Sequence, residues 1–379
     1  MNTGLYIHIP FCASRCIYCG FYSTVRLDLQ DRYVRALCKE MELWRDRKQP
    51  TRAQVSTIYL GGGTPSQLSE SNLDCLFQHI YKVYDVASDA EVTMECNPDD
   101  IHNHIFDHLP VNRVSMGAQT FDDRRLRFLH RRHTALEVDH AVDTLRADGI
   151  GNISLDLMFG FPGETLADWE ADVEHALSLR PEHLSAYGLM IEDGTPLHRL
   201  VEQGKVQEAD EDLSLGMYDR LIDMAKEAGY EHYEISNFAL LAEDDKLTSS
   251  YRSRHNSSYW HDMPYIGLGA AAHSYDLHSR HWNPSNIEHY MDLIEQGTLP
   301  YEEEVIDSDT HYDDIVTTAL RTREGIDLDK LDAHHRDFLL RNAKSYIDRQ
   351  LLRIDGHHLS LTRQGINISN TIMSDLMDV

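Results

Sequence analysis

Six short runs of β-type residues, each followed by a longer helical pattern, occupy the first two-thirds of the chain. They are Leu5 to Ile9, Val55 to Leu60, Glu91 to Glu95, Arg113 to Ala118, Ile153 to Phe159 and Leu184 to Leu189. That rhythm is the signature of βα units on a parallel sheet, and 379 residues leave room for one large barrel plus an appendage. The intervening segments are amphipathic. After Ser69, Leu73, Leu76, Phe77, Ile80 and Val83 share a helical face; from Asp210, Leu213, Met217, Leu221, Ala225 and Ala228 do so until Gly229 ends the pattern.

Side chains alternate across a strand, so each run divides into a face toward the helices and a face toward the barrel interior. In the fifth run Ile153, Leu155, Leu157 and Phe159 oppose Ser154, Asp156 and Met158. In the fourth, Val114, Met116 and Ala118 oppose Ser115, Gly117 and Gln119; in the third, Val92 and Met94 oppose Thr93 and Glu95. One face is polar each time, and the polar sets gather toward the C-terminal ends of the strands, where α/β barrels and open sheets build their sites.

From about Pro300 the rhythm stops at an acidic stretch, Glu302 to Glu304, and a second unit is expected to begin. Helical patterns cover Asp309 to Arg321 and about Asp327 to Gln350. A hairpin follows, with Leu352 and Ile354, a turn at Asp355-Gly356, then Leu359 and Leu361. Helices followed by a hairpin are winged-helix-like, a shape that often binds DNA. Here 35 Lys and Arg face 63 Asp and Glu, a formal charge of −28 that repels phosphate backbones and anionic lipid, so nucleic acid is excluded as a partner and membrane association is at most peripheral. The polar stretch Ala242 to Arg254 reads as a surface loop.

No stretch approaches 18 uninterrupted apolar residues. Gly4 to Ala13 is apolar enough to imitate a signal peptide, but no Lys or Arg precedes it and it contains His8, Pro10 and Cys12. Three of the six cysteines fall within eight residues, which is not a disulfide framework, and a reducing, cytoplasmic compartment is expected.

The chemistry concentrates in Cys12-Ala-Ser-Arg-Cys16-Ile-Tyr-Cys19, a C-x3-C-x2-C loop directly after the first strand. Three thiolates would leave one iron of a [4Fe–4S] cluster open to a small molecule; a zinc site completed by a histidine is the rival reading. Cys38, Cys75 and Cys96 lack such spacing and read as small buried hydrophobes. After the second strand, Gly61-Gly62-Gly63-Thr64-Pro65 lets a ligand approach the backbone closely, without the Gly-Lys-Ser/Thr of a phosphate loop.

Together these features resemble the radical S-adenosylmethionine (SAM) superfamily. The match narrows through Tyr6-Ile-His-Ile-Pro-Phe-Cys12, Glu95-Cys-Asn-Pro98, Ser115-Met-Gly-Ala-Gln119-Thr-Phe121, Asp156-Leu-Met-Phe-Gly-Phe-Pro162 and Gly267-Leu-Gly-Ala-Ala-Ala-His273, in the order seen in the oxygen-independent coproporphyrinogen III oxidase group. That group contains oxidases and haem chaperones. Phe21 stands where the oxidases carry a further cysteine. Only five residues precede Tyr6, so the extension that closes over the oxidase site is expected to be absent, and His255-Asn256-Ser-Ser-Tyr259-Trp260 is similar to the H-N-x-x-Y-W motif of the chaperones.

The resemblance implies an α/β fold: a partial (β/α)6 radical SAM barrel over 1–299, with a C-terminal helical, winged-helix-like domain over 300–379. It implies that Cys12, Cys16 and Cys19 hold a [4Fe–4S] cluster and that Tyr6, Gly62 and Glu95 hold the SAM bound to it. Gly63, Thr64, Tyr18, Gln119, Arg131, Asp156 and Gly188 resemble a second pocket, which takes another SAM in the oxidases. Arg132 is adjacent to Arg131, and a one-residue slip would exchange them. For haem, His255 is the candidate axial ligand, with Tyr259 and Trp260 against the porphyrin; alternatively the motif stabilises the barrel's open side. The function implied is delivery of haem to apo-haemoproteins without coproporphyrinogen oxidase activity, the alternative being SAM-dependent oxidative decarboxylation of porphyrinogen propionates. Whether the chain acts as a monomer or a homodimer is not legible in the sequence.

Overall fold

The computed structural model describes residues 2–47, 53–102, 104–242 and 251–378; residues 243–250 of the polar stretch read as a loop lie outside the described residues. All six expected strands form: β1 (Asn2–Ile9), β2 (Gln54–Gly62), β3 (Val86–Cys96), β4 (Arg113–Gln119), β5 (Ile153–Phe159) and β6 (His183–Gly188). They lie in sequence order and each pairs in parallel with the next, Tyr6 opposite Tyr59 and Gly117 opposite Asp156. Their helix-facing residues are fully buried, Ile153, Leu155 and Leu157 among them. Each such side chain contributes roughly 1.5–3 kcal/mol of burial.

The covering helices begin with α1 (Gln30–Arg47) and α2 (Glu70–Val83), followed by α3 (Asp123–Phe128), α4 (Ala135–Ala147), α5 (Leu166–Ser178), α6 (Pro196–Glu202) and α7 (Glu211–Glu227). Their starts follow local chemistry. Ser69 caps α2 by accepting from the Asn72 amide, and Thr134 and Thr165 form capping boxes with Glu137 and Asp168.

The sheet is wider than six strands. Beyond β6 it continues antiparallel through β8 (Asn237–Leu240) to β7 (Tyr230–Glu234). Beyond β1 come β9 (Tyr265–Leu268), β10 (His273–Tyr275), β11 (Ser279–Trp282) and β12 (Glu302–Val305), making twelve strands. The acidic run expected to open a second unit is therefore the edge strand of the large sheet. Glu304 and Glu303 pair with Arg280 and His281, and the Arg280 guanidinium lies 3.8 Å from the Glu304 carboxylate across the ladder.

Between β8 and β9 lies α8 (Arg254–Trp260), and before β12 lies α9 (Ile287–Glu295). A second apolar core, containing Tyr312, Val316, Leu339, Leu359 and Ile372, is built by α10 (Ser308–Ala319), α11 (Ala333–Asp348), α12 (Arg363–Ile366) and α13 (Ser369–Leu376). They pack with the three-stranded sheet of β13 (Ile326–Asp327), β14 (Leu352–Asp355) and β15 (His358–Leu361). The expected hairpin is present, with Gly356 at φ 58° in its turn. The helix expected from Asp327 starts only at Ala333: Ile326 pairs with Leu359, and Asp332 caps the helix by accepting from the His335 amide at 3.0 Å. The protein is thus an α/β core with a distinct C-terminal helical region. Among the described residues no helix is long and apolar enough to cross a membrane.

Candidate functional site

The C-terminal ends of β2 to β6 and the loop after β1 enclose a cavity of about 580 Å³. Cys12, Cys16 and Cys19 line it, as do Tyr18, Gly62, Gly63, Thr64, Glu95, Gln119, Arg131, Asp156 and Gly188. Twelve of the residues singled out from the sequence thus meet in one space, contributed by the cysteine loop, five strands and the segment after α3.

The cysteine loop is pinned from both sides: the Ile17 amide donates to the Leu129 carbonyl at 3.2 Å, and the Leu197 amide to the Ile17 carbonyl at 2.9 Å. The Thr64 hydroxyl donates to the Cys12 sulfur at 3.6 Å and Arg131 Nη1 to the Cys16 sulfur at 3.8 Å. Burial pushes the Cys12 and Cys19 thiols up, so both favour the neutral form.

Gly62 has φ +111°, and an added Cβ would stand 2.4 Å from the His8 ring; at Gly63 it would stand 2.7 Å from the Pro10 carbonyl carbon. Glycine is required here by the close approach of β2 to β1 and the cysteine loop. His8 is itself fixed. Its Nε2–H donates to the Tyr22 carbonyl at 3.1 Å, which leaves Nδ1 to accept from the Tyr6 hydroxyl at 3.0 Å, and burial pushes its pKa down to about 4. Tyr6 therefore sits against His8 and Tyr59 and is not among the cavity-lining residues.

Glu95 accepts from the Tyr59 hydroxyl at 2.8 Å and from the Gly62 amide at 3.0 Å; burial pushes its pKa up to about 7 against the pull of those bonds. Asp156 accepts from Ser115 at 3.3 Å, and burial takes it up to about 6. Gln119 ends β4 at φ 67°, a left-handed backbone that non-glycine residues seldom adopt. Arg131 Nη2 donates to Asn97 at 2.6 Å and to the Gly117 carbonyl at 2.7 Å, while its buried Nε has no partner. Arg132 points elsewhere, onto Asp99 and Asp100 at 2.6 and 2.9 Å. Of the adjacent pair, Arg131 is the arginine that reaches a cysteine sulfur.

The site also uses residues that the sequence reading gave no role. Asn97 links Arg131 to the Thr64 hydroxyl, and Ser185, Tyr187 and Asn256 line the cavity. Of the cysteines expected in the core, Cys38 and Cys96 are buried, but Cys75 is exposed because it lies on the outer face of α2.

The haem candidates His255, Tyr259 and Trp260 are not among the cavity-lining residues. His255 is 1% exposed, with Nδ1 hydrogen-bonded to Thr57 and Nε2 to Tyr259, each at 2.8 Å; burial, reinforced by the nearby Arg113 charge, pushes its pKa down to about 3. Both ring nitrogens are taken. Glu91 caps the same helix by accepting the Arg254 and His255 amides at 3.1 and 3.0 Å. Tyr259 packs edge-on against Tyr265, and Trp260 lies under the Arg321 guanidinium, 4.9 Å from ring centroid to carbon. In this arrangement the motif ties α8 to β2, to β3 and to the Arg321 side chain after α10.

The Radical SAM superfamily profile matches residues 6–176 and the HemN C-terminal domain profile residues 306–368. The haem chaperone HemW of Lactococcus lactis is 31% identical, over 99% of this chain and 97% of that one. The chain belongs to the HemW family. The Bacillus subtilis HemW is 37% identical over 79% of this chain and 77% of its own, and that of Mycobacterium tuberculosis 32% identical over 99% and 94%. The solved coproporphyrinogen III oxidase (HemN) of Escherichia coli superposes with a TM-score of 0.82 over 100% of this chain and 90% of that one, at 21% identity, and so shares the fold. HemW-family membership brings with it the radical SAM character of the barrel, which implies SAM and an iron–sulfur-type cofactor.

Proposed function

We propose that this chain binds a [4Fe–4S] cluster through Cys12, Cys16 and Cys19, holds SAM beside it, binds haem and passes haem to apo-haemoproteins. The observation that carries the cofactor part is the convergence of the three thiols with Arg131, Glu95 and Asp156 on one cavity. When bound, the cluster would supply an open iron site and a redox centre. The chain's own residues bind and orient. The Arg131 guanidinium donates to the Cys16 sulfur, and its positive charge beside the cavity would attract an anionic group such as a carboxylate. Glu95 and the backbone at Gly62 offer acceptors to an ammonium group, with Tyr6 behind them holding His8 in place. Gly63, Thr64, Tyr18, Gln119, Asp156 and Gly188 line the rest of the cavity and are assigned to a second nucleoside-sized pocket.

The haem part rests on the family: two HemW proteins more than 30% identical to this chain align over nearly its full length. Residues 1–299 would carry the cofactor sites and 300–379 a separate C-terminal domain, acting in the cytoplasm. The test is a haem titration of the cluster-reconstituted full chain. Saturable binding of one haem per chain supports the reading, and absence of haem binding overturns it.

A further inference from the structure

A haem site needs an accessible axial ligand, an apolar surface for the macrocycle and a cation for a propionate. His255 supplies no free nitrogen and no exposed edge. Another place in the molecule supplies all three.

His130 is the only histidine among the described residues lining the cavity. Its side chain is exposed, and its ring has no hydrogen-bond partner among the described residues. It occupies left-handed backbone at φ 61° between Leu129, which accepts from the cysteine loop, and Arg131, which reaches Cys16. Histidine is among the residues that adopt this backbone most readily after glycine. Phe21 and Met190, 72% and 66% exposed, line the same cavity; among the described large hydrophobics only Val305 is more exposed. Both side chains therefore offer apolar surface to a ligand at the cavity. Arg15, on the same rim, is exposed and makes no ion pair among the described residues, although the chain carries a charge of −28. Arg132 is already held by Asp99 and Asp100, and Glu192 is the acidic side chain on the Gly20 side of the rim.

We propose that haem seats at the mouth of this cavity, with His130 as an axial ligand to the iron, Phe21 and Met190 against the macrocycle and Arg15 on a propionate. This deepens the haem-binding reading above and rests on it. The seat lies on the exposed rim and leaves Glu95, Gly62 and Asp156, deeper in the barrel, to the other cofactor.

The test is a ferric haem titration of the cluster-reconstituted full chain, followed by absorbance and electron paramagnetic resonance, in wild type, His130→Gly and His130→Asn. Gly and Asn both accept the left-handed backbone, so the fold is expected to survive, with a thermal melt as the check. Both variants are expected to lose the imidazole-ligated spectrum and about tenfold or more in affinity, and added imidazole restores the spectrum. Arg15→Gln is expected to weaken haem severalfold while leaving iron protoporphyrin dimethyl ester unaffected. Wild-type spectrum and affinity in both His130 variants overturn the seat; if His255→Gln then abolishes the signal, haem binding stands and the ligand is His255. A wild-type chain that binds no haem overturns the parent reading as well.

Discussion

Thr57 Oγ1 and His255 Nδ1 lie 2.8 Å apart in the buried interior, joining β2 to α8. With Tyr259 on the other nitrogen, the imidazole is a buried linking group, and α8 is held by side chains from β2 and β3. Thr57→Val keeps the shape and strips the hydroxyl, leaving a buried ring nitrogen without a partner. It is expected to cost about 1–3 kcal/mol in denaturant unfolding. Tyr259→Phe is expected to cost a similar amount, and the pair to be non-additive because both act through one ring. Wild-type stability in both single variants would show that the imidazole does not hold the helix.

Substituting Cys12, Cys16 or Cys19 by Ser is expected to abolish stable iron and sulfide incorporation on reconstitution. Cys38→Ser and Cys75→Ser, on α1 and α2 outside the cavity, are expected to keep full iron content. Iron and sulfide analysis with the near-400 nm absorbance reads both; normal iron content in Cys16→Ser would remove the cluster assignment.

Gly62→Ala places a Cβ 2.4 Å from the His8 ring at φ +111°, and is expected to destabilise the fold by about 2–4 kcal/mol through combined backbone strain and overpacking. Gly151→Ala, which meets nothing within 4 Å, is expected to stay within about 0.5 kcal/mol of wild type. Thermal or urea unfolding separates them, and equal effects would contradict the close packing of β2 on β1.

Burial raises the folded pKa of Glu95 from 4.5 to about 7, so the folded state holds this proton more tightly than the unfolded chain does. Its stabilising contribution is complete below pH 4.5 and is lost as pH rises through 7. Between pH 4.5 and 8 the cluster-free wild type is expected to lose about 2 kcal/mol relative to Glu95→Gln, a figure discounted for partial solvent screening. Parallel stability–pH curves for the two proteins would refute the shifted carboxyl.

The barrel was legible because its strands are long enough to alternate: Glu95, Gln119 and Asp156 fall on the polar face by periodicity alone, and all three line the cavity. The flanking strands were not. β7 to β12 span only three to five residues each, and Glu302 to Glu304 read as a charged break until Arg280 and His281 stand opposite. Buried polar groups were equally hidden. Glu40 looks like a surface residue of α1, yet it is fully buried, accepting from the Gly269 amide, Asn283 and Tyr290 at 2.8, 2.6 and 2.7 Å. Glu91 likewise gave no sign that it caps a helix 163 residues away. Such partnerships join residues distant in sequence, and periodicity reports only on neighbours. The one signal available was His255 within a compact motif, which marked the right helix and left open whether its imidazole was a ligand or a linking group.

The most direct test of the account is an anaerobic incubation of the cluster-reconstituted chain with coproporphyrinogen III, SAM and a strong reductant, with porphyrins and 5′-deoxyadenosine read by mass spectrometry. The account predicts no decarboxylated porphyrin, while the same preparation binds haem. A SAM-dependent decarboxylated product would contradict it and make the chain an oxidase despite Phe21.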